Sequence, residues 1–332
     1  MGSSLSKKII ENCSDGFKYV EFCWHGGEPL LMGREFYGDV IAIQNELSKK
    51  KGVEFQNNIQ TNGTLLNDEW IDFLVAHEFR IGLSLDAPLH IHIKNRKNDP
   101  FQLLDICHTF QKKNIPLGVL CVITKENVKL VDGIFDFYKK LNVNSFALLP
   151  LRKVGNINES LVPTNEEVFE LYKEMFDKWV WSDNDFYSIE PLDSMLHLIL
   201  GRNCAICSFT SPCLERMISI DQEGNVIPCS SLVASEFKLG VIYEDKLISI
   251  LENDKTRNFK ELKKKALLQN CKGCIFLNLC NGGCRADAFW STKQYTGAYP
   301  FCEARKRMFQ YIQEQMPLIM SQVKKNNSTK TG

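Results

Sequence analysis

From Lys18 to about Trp181 the chain alternates short apolar runs with amphipathic stretches of roughly ten to fifteen residues, the pattern of βα units around a parallel sheet. The apolar runs predict strands over Tyr19 to Trp24, Val53 to Gln60, Arg80 to Asp86, Leu117 to Ile123 and Ser145 to Leu149. Between them, apolar residues at helical spacing predict helices over Glu35 to Lys50, Asp68 to Ala76, Leu103 to Lys113, Val128 to Leu141 and Glu166 to Val180. Asn67 and Thr164 stand where a short oxygen side chain caps free amides. Leu5 to Cys13 reads as one further helix that no strand precedes.

After about Tyr187 cysteines, glycines and turns dominate, and helical spacing survives over Lys246 to Lys265 and Glu303 to Lys324. The tail from Lys324 is polar and expected to fray. The pattern therefore divides at about residue 185: an α/β domain over 1–185, and over 186–332 a small cysteine-rich domain in which ligand bonds stand in for apolar core.

With 332 residues, 44% of them hydrophobic, the chain has enough apolar side chains for about two domains. Lys plus Arg equals Asp plus Glu at 40 each, so no overall field draws it to nucleic acid or a membrane. The first residues do not resemble a signal peptide, and no apolar run reaches the roughly 18 residues that span a bilayer. A cytoplasmic location is expected, where clustered cysteines are metal ligands more often than disulfides. The start Met1, Gly2 to Ser6 fits a myristoylation pattern, which is too short to carry weight.

Nine of the thirteen cysteines lie beyond residue 200. Cys271, Cys274, Cys280 and Cys284 form C-x2-C-x5-C-x3-C, with Cys302 following and Cys207, Cys213 and Cys229 preceding. Eight thiols make two four-cysteine sites for a soft metal, and spacing alone leaves iron–sulfur and zinc equally open. Cys107 and Cys121, among apolar neighbours, read as core residues, and Cys204 as a spare. The basic runs Lys263 to Lys265 and Lys324 to Lys325 read as solvated faces.

Three consecutive strands end in small polar clusters: His25, Gly26, Gly27, Glu28 and Pro29; Gln60, Thr61, Asn62 and Gly63; Ser84, Leu85, Asp86, Ala87 and Pro88. Glycines at a strand's C-terminal end let backbone approach a ligand, Glu28 can accept from an ammonium group, and one ligand at the top of the sheet accounts for all three clusters.

These clusters, Thr64, Asn95, Arg96 and the eight cysteines resemble the radical S-adenosylmethionine (radical SAM) family with a C-terminal SPASM domain. The layout is most similar to anaerobic sulfatase-maturating enzymes and peptide maturases. The resemblance implies a partial (β/α)6 TIM-like barrel lacking its first strand, followed by the SPASM domain. It also implies that Gly26, Gly27 and Glu28 meet the amino group of S-adenosylmethionine, while Ser84 and Arg96 meet its carboxylate. By the same resemblance, Cys207, Cys213, Cys229 and Cys284 hold one auxiliary 4Fe-4S cluster, and Cys271, Cys274, Cys280 and Cys302 the other. Gly224 is the glycine the SPASM pattern places before Cys229.

The reaction implied is hydrogen abstraction from a peptide or protein by a 5′-deoxyadenosyl radical, with flavodoxin or ferredoxin as electron donor and neither nucleic acid nor membrane as partner. Two positions depart from the pattern. The C-x3-C-x2-C that holds the SAM-reducing cluster is absent, so Met1 is expected to be an internal start and a third cluster to need the preceding segment. Ser230 stands where sulfatase-maturating relatives place an aspartate base, which argues for another peptide substrate. No catalytic side chain is assigned, and whether the chain is an enzyme as it stands is left open. A non-catalytic iron–sulfur scaffold derived from such an enzyme is the alternative; a zinc-stapled α/β protein is a third reading.

Overall fold

A computed structural model describes residues 3–96, 99–154, 157–182, 184–204, 206–210, 213–215, 217–232 and 235–329. Met1 and Gly2 of the myristoylation-like start lie outside them. The first half alternates α1 (Ser3–Ser14), β1 (Tyr19–Trp24), α2 (Gly33–Lys51), β2 (Glu54–Thr61), α3 (Asp68–Ala76), β3 (Arg80–Ser84), α4 (Leu89–Asn95), α5 (Pro100–Lys112), β4 (Gly118–Ile123), α6 (Val131–Lys140), β5 (Ser145–Pro150), α7 (Asn165–Trp181), β6 (Ser188–Glu190) and α8 (Leu192–Ile199). The remainder is α9 (Cys207–Thr210), β7 (Ser219–Ile220), β8 (Asn225–Ile227), β9 (Gly240–Val241), α10 (Leu247–Glu252), α11 (Asp254–Asn270), α12 (Leu277–Cys280), α13 (Arg285–Thr292) and α14 (Cys302–Thr329).

One sheet runs β1-β2-β3-β4-β5-β6, with parallel pairing at β1–β2, β2–β3, β3–β4 and β5–β6; β7, β8 and β9 form a second, antiparallel sheet. This is a mixed α/β fold, a partial TIM-like barrel followed by a cysteine-rich domain. The sixth parallel strand was not among the five expected. At three residues, Ser188–Glu190 is too short to display a period of two. The helix expected over Lys246 to Lys265 is two helices, because Asn253 accepts from the Thr256 amide (2.8 Å) and starts α11 afresh. The expected fraying from Lys324 gives way to helix through Thr329.

The chain divides into two compact units, residues 1–120 with 213–262 and residues 121–212 with 263–332. In the first, Ile10, Val40 and Leu47 form a core against which Phe22, Trp24, Phe36, Ile43 and Phe55 pack. The Trp24 indole donates to Asn57 Oδ1 (3.0 Å), itself tied to buried Gln44. Fully buried Tyr37 donates its hydroxyl to the Pro29 carbonyl (2.9 Å), fixing the loop after β1 from below. Asn12 of α1 bonds the backbone of Ile242, Asp245 and Leu247, so the N-terminal helix is fastened to the segment after β9.

In the second unit, α7 starts from a capping box between Thr164 and Glu167. Asn165 donates to the Pro300 carbonyl (2.8 Å) and accepts from the Ala304 amide (3.0 Å), while Arg307 pairs with Glu166. Tyr311 donates to Asp177 (2.6 Å). These bonds bind α14 along α7.

Candidate functional site

The register opposes Trp24 to Ile59 and Thr61 to Leu83, so β1, β2 and β3 end at the same edge and deliver their polar clusters side by side. Gly26 and Gly27 both have positive φ (93° and 54°), and a Cβ on either would meet nothing within 4 Å. Glycine is required here by backbone conformation, and the space beside it is open. His25, Gly26 and Gly27 are exposed.

Glu28 does more than the sequence indicated. Its Oε1 accepts from Thr61 Oγ1 (2.7 Å) and the Leu30 amide (3.1 Å), and its Oε2 accepts from the Asn62 amide (2.9 Å). One carboxylate therefore clasps the ends of β1 and β2, and of its roughly four lone-pair directions one is left for a ligand. Thr61 also accepts from the Gly63 amide (3.0 Å), and Asn62 Oδ1 accepts from both Thr64 groups.

Ser84 Oγ accepts from Gln60 Nε2 (3.0 Å), which leaves its own proton to donate. Arg96 is held by buried Asp86 through Nε (2.8 Å) and Nη2 (3.2 Å), with the Asp86 amide bonded to His92 Nδ1 (3.0 Å). A guanidinium anchored by two of its five N–H groups still presents donors to a carboxylate. The first unit thus gathers Gly26, Gly27, Glu28 and Ser84 at one sheet edge, with Arg96 tied to the residue two beyond Ser84. Acceptor, donor and cation suit the ammonium and carboxylate of an amino acid.

In the second unit, burial pushes the Cys302 thiol up, Lys306 acts against it, and the charges of nearby Cys280, Cys271 and Cys274 add to the rise. Burial likewise raises Cys271, while Arg285 and Lys263 act in the other direction. No three Cys, His, Asp or Glu side chains among the described residues stand in metal-holding geometry. Four half-buried or buried thiols with cations around them nonetheless fit a thiolate-bound cluster in donor chemistry. Cys213 and Cys229 fall in the first unit, Cys207 and Cys284 in the second. Cys229 Sγ accepts from the Ser231 amide (3.4 Å), and Ser230 is exposed.

Cys107 and Cys121 are buried in the core, and burial pushes the Cys107 thiol up to about 12. Lys263 was expected on a solvated face and is instead 2% exposed, with Nζ donating to the Asn281 carbonyl (2.8 Å). Phe259, Lys263 and Ala266 share one face of α11, a spacing that could have revealed it. Lys264 and Lys265 are exposed as expected; the Lys324 and Lys325 side chains lie outside the described ones. Arg305, which reaches Cys280, was also missed.

Residues 6–138 match the Radical SAM superfamily, and residues 207–275 match the SPASM iron-sulfur cluster-binding domain. Residues 6–138 thus carry a radical SAM domain and residues 207–275 a SPASM domain, two domains that imply S-adenosylmethionine and iron–sulfur clusters. Within that class it resembles anaerobic sulfatase-maturating enzymes. It is 28% identical to the cysteine-type enzyme of Clostridium perfringens over 97% of this chain and 88% of that protein. Against the serine-type enzyme of Bacteroides thetaiotaomicron the figures are 26%, 97% and 83%. The solved structure of native anSMEcpe with bound AdoMet and Cp18Cys peptide superposes with a TM-score of 0.84 at 25% identity, covering 97% of this chain and 90% of that one. No helix among the described residues is long and apolar enough to cross a membrane.

Proposed function

We propose that this chain is a maturase that binds S-adenosylmethionine at the β1, β2 and β3 strand ends and modifies a residue of a peptide or protein. The observation that carries this is the clasp of Thr61, Asn62 and Leu30 on Glu28 beside the open Gly26–Gly27 loop, with Ser84 and anchored Arg96 presenting donors. Gly26, Gly27 and the free direction of Glu28 take the amino group; Ser84 and Arg96 take the carboxylate. With a SAM-reducing cluster in place, the bound cofactors would supply the radical chemistry for hydrogen abstraction from the substrate. The protein's part is to orient the methionyl end and to keep water from the reacting centre.

Two auxiliary 4Fe-4S clusters complete the reading, on Cys207, Cys213, Cys229 and Cys284 and on Cys271, Cys274, Cys280 and Cys302. They lie in a SPASM domain over 186–332 that follows a barrel domain over 1–185. A cytoplasmic flavodoxin or ferredoxin would supply electrons. Exposed Ser230 is a weak base without an activating partner, which favours a substrate other than a sulfatase. A second reading is an iron–sulfur scaffold that presents a peptide to an active partner.

Iron, sulfide and zinc content of the anaerobically reconstituted chain, with S-adenosylmethionine binding and cleavage measured on the same sample, tests both. About eight irons with binding but no cleavage means two auxiliary clusters on a chain that is either a scaffold or a maturase without the segment its third cluster needs; about twelve irons with 5′-deoxyadenosine formed supports the maturase. Zinc in place of iron, or no binding of S-adenosylmethionine, overturns both.

A further inference from the structure

Three residues after Cys302, in the first turn of α14, half-buried Arg305 lies between two rings, its Cζ 4.3 Å from the Phe209 centroid and 4.3 Å from that of Tyr299. The sandwich strips water from both faces of the guanidinium and leaves its edges to donate. Nη2 donates to the Tyr299 hydroxyl (3.1 Å) and Nη1 to Sγ of buried Cys280 (3.9 Å). Asp287, the nearby carboxylate, is paired instead with Arg152 at 3.3 Å. The donor edge nearest the thiols thus carries a permanent charge and points at one of them.

We propose that Arg305 is a positioning residue that raises the reduction potential of the cluster held by Cys271, Cys274, Cys280 and Cys302. The inference rests on the ligand assignment made above. A four-thiolate cluster gains negative charge on reduction, and both a fixed cation and an N–H donor to a ligand sulfur favour the reduced state. Arg305 also packs α14 against α9, so loss of stability alone would not distinguish tuning from packing. A potential does.

The test is an EPR-monitored redox titration of the full-length, anaerobically reconstituted chain and its R305M and R305K variants, with iron determined on each. R305M keeps the stem and removes charge and donors. Its iron content is expected to match wild type while one couple shifts to more negative potential by at least tenfold in its equilibrium, about 59 mV for one electron. R305K is expected to fall between the two. Wild-type potentials in iron-replete R305M overturn the proposal. Should R305M lose iron, R305K decides: a negative shift supports the role of the donor fork, and an unshifted couple refutes it. C280A separates the two levels of the argument. Loss of about four irons upholds the ligand assignment, whereas full iron content there removes the assignment itself.

Discussion

Replacing Thr61 by Val keeps the shape of a side chain that is 1% exposed and deletes only its hydroxyl. Two bonds go with it: the 2.7 Å donation to Glu28 Oε1 and the 3.0 Å acceptance from the buried Gly63 amide. The first is a hydrogen bond to a charged group, and the second leaves a buried N–H unsatisfied, so T61V is expected to cost about 2–4 kcal/mol of local stability. Opening of the strand-end loops then becomes roughly 30- to 700-fold more frequent. Amide hydrogen exchange at Leu30, Asn62 and Gly63 reads this directly. T64V is the matched control. It removes one bond from Thr64 Oγ1 to Asn62 (2.7 Å) and leaves the Thr64 amide bonded to the same oxygen, so acceleration below about tenfold is expected. Wild-type exchange in T61V, or equal acceleration in T64V, would refute the clasp as the element that organises the site.

Other parts of the chain give independent tests. K263M, which retains the buried stem but orphans the Asn281 carbonyl, is expected to lose about 1–3 kcal/mol in urea unfolding while K264M stays within about 0.5 kcal/mol. Glu190 is raised above its ordinary 4.5 chiefly by burial, with the Ser194 hydroxyl and amide bonds opposing. The folded state therefore holds this proton more tightly than the unfolded one, and stability is lost as pH rises from 4.5 through the folded value. The urea midpoint of E190Q relative to wild type should rise across that window and then level; a pH-independent difference would contradict it. Gly224 has φ of +78°, and a Cβ there would lie 2.1 Å from Tyr243 Cε1. G224A should cost about 1–2 kcal/mol of backbone strain and displace the ring that donates to the Glu223 carbonyl, lowering the melting temperature. An unchanged melting temperature would contradict the strain assigned to this position.

The parallel sheet was readable because its strands carry their own signals. Tyr19–Trp24 and Asp68–Ala76 have the expected bounds, and the Asn67 and Thr164 caps accept from the amides of Trp70 and Glu167. The break at Asn253 was also encoded locally, as an Asn three residues before Thr256 in a stretch, 252–258, with no hydrophobic residue. What local pattern does not reveal is partnership across distance. Two of the three donors on Glu28 come from residues 33 and 34 positions away, and Arg96 is claimed by Asp86 before any ligand arrives. Arg305 carries no local signal, because Phe209, Tyr299 and Cys280 converge on it from three separate segments.

The bonds of Asn165 to Pro300 and Ala304 have a consequence for engineering. Cys302 lies between those two partners, so the segment that bears a proposed cluster ligand is stitched to the first residue of a barrel helix. A chimera that exchanged only residues 186–332 would cut through this seam and set Cys302 on a foreign helix surface. Transplants that carry α7 along with the cysteine-rich segment preserve Asn165, Glu166 and Asp177 with their partners on α14. The unit of exchange is thus wider than the cysteine pattern that advertises it.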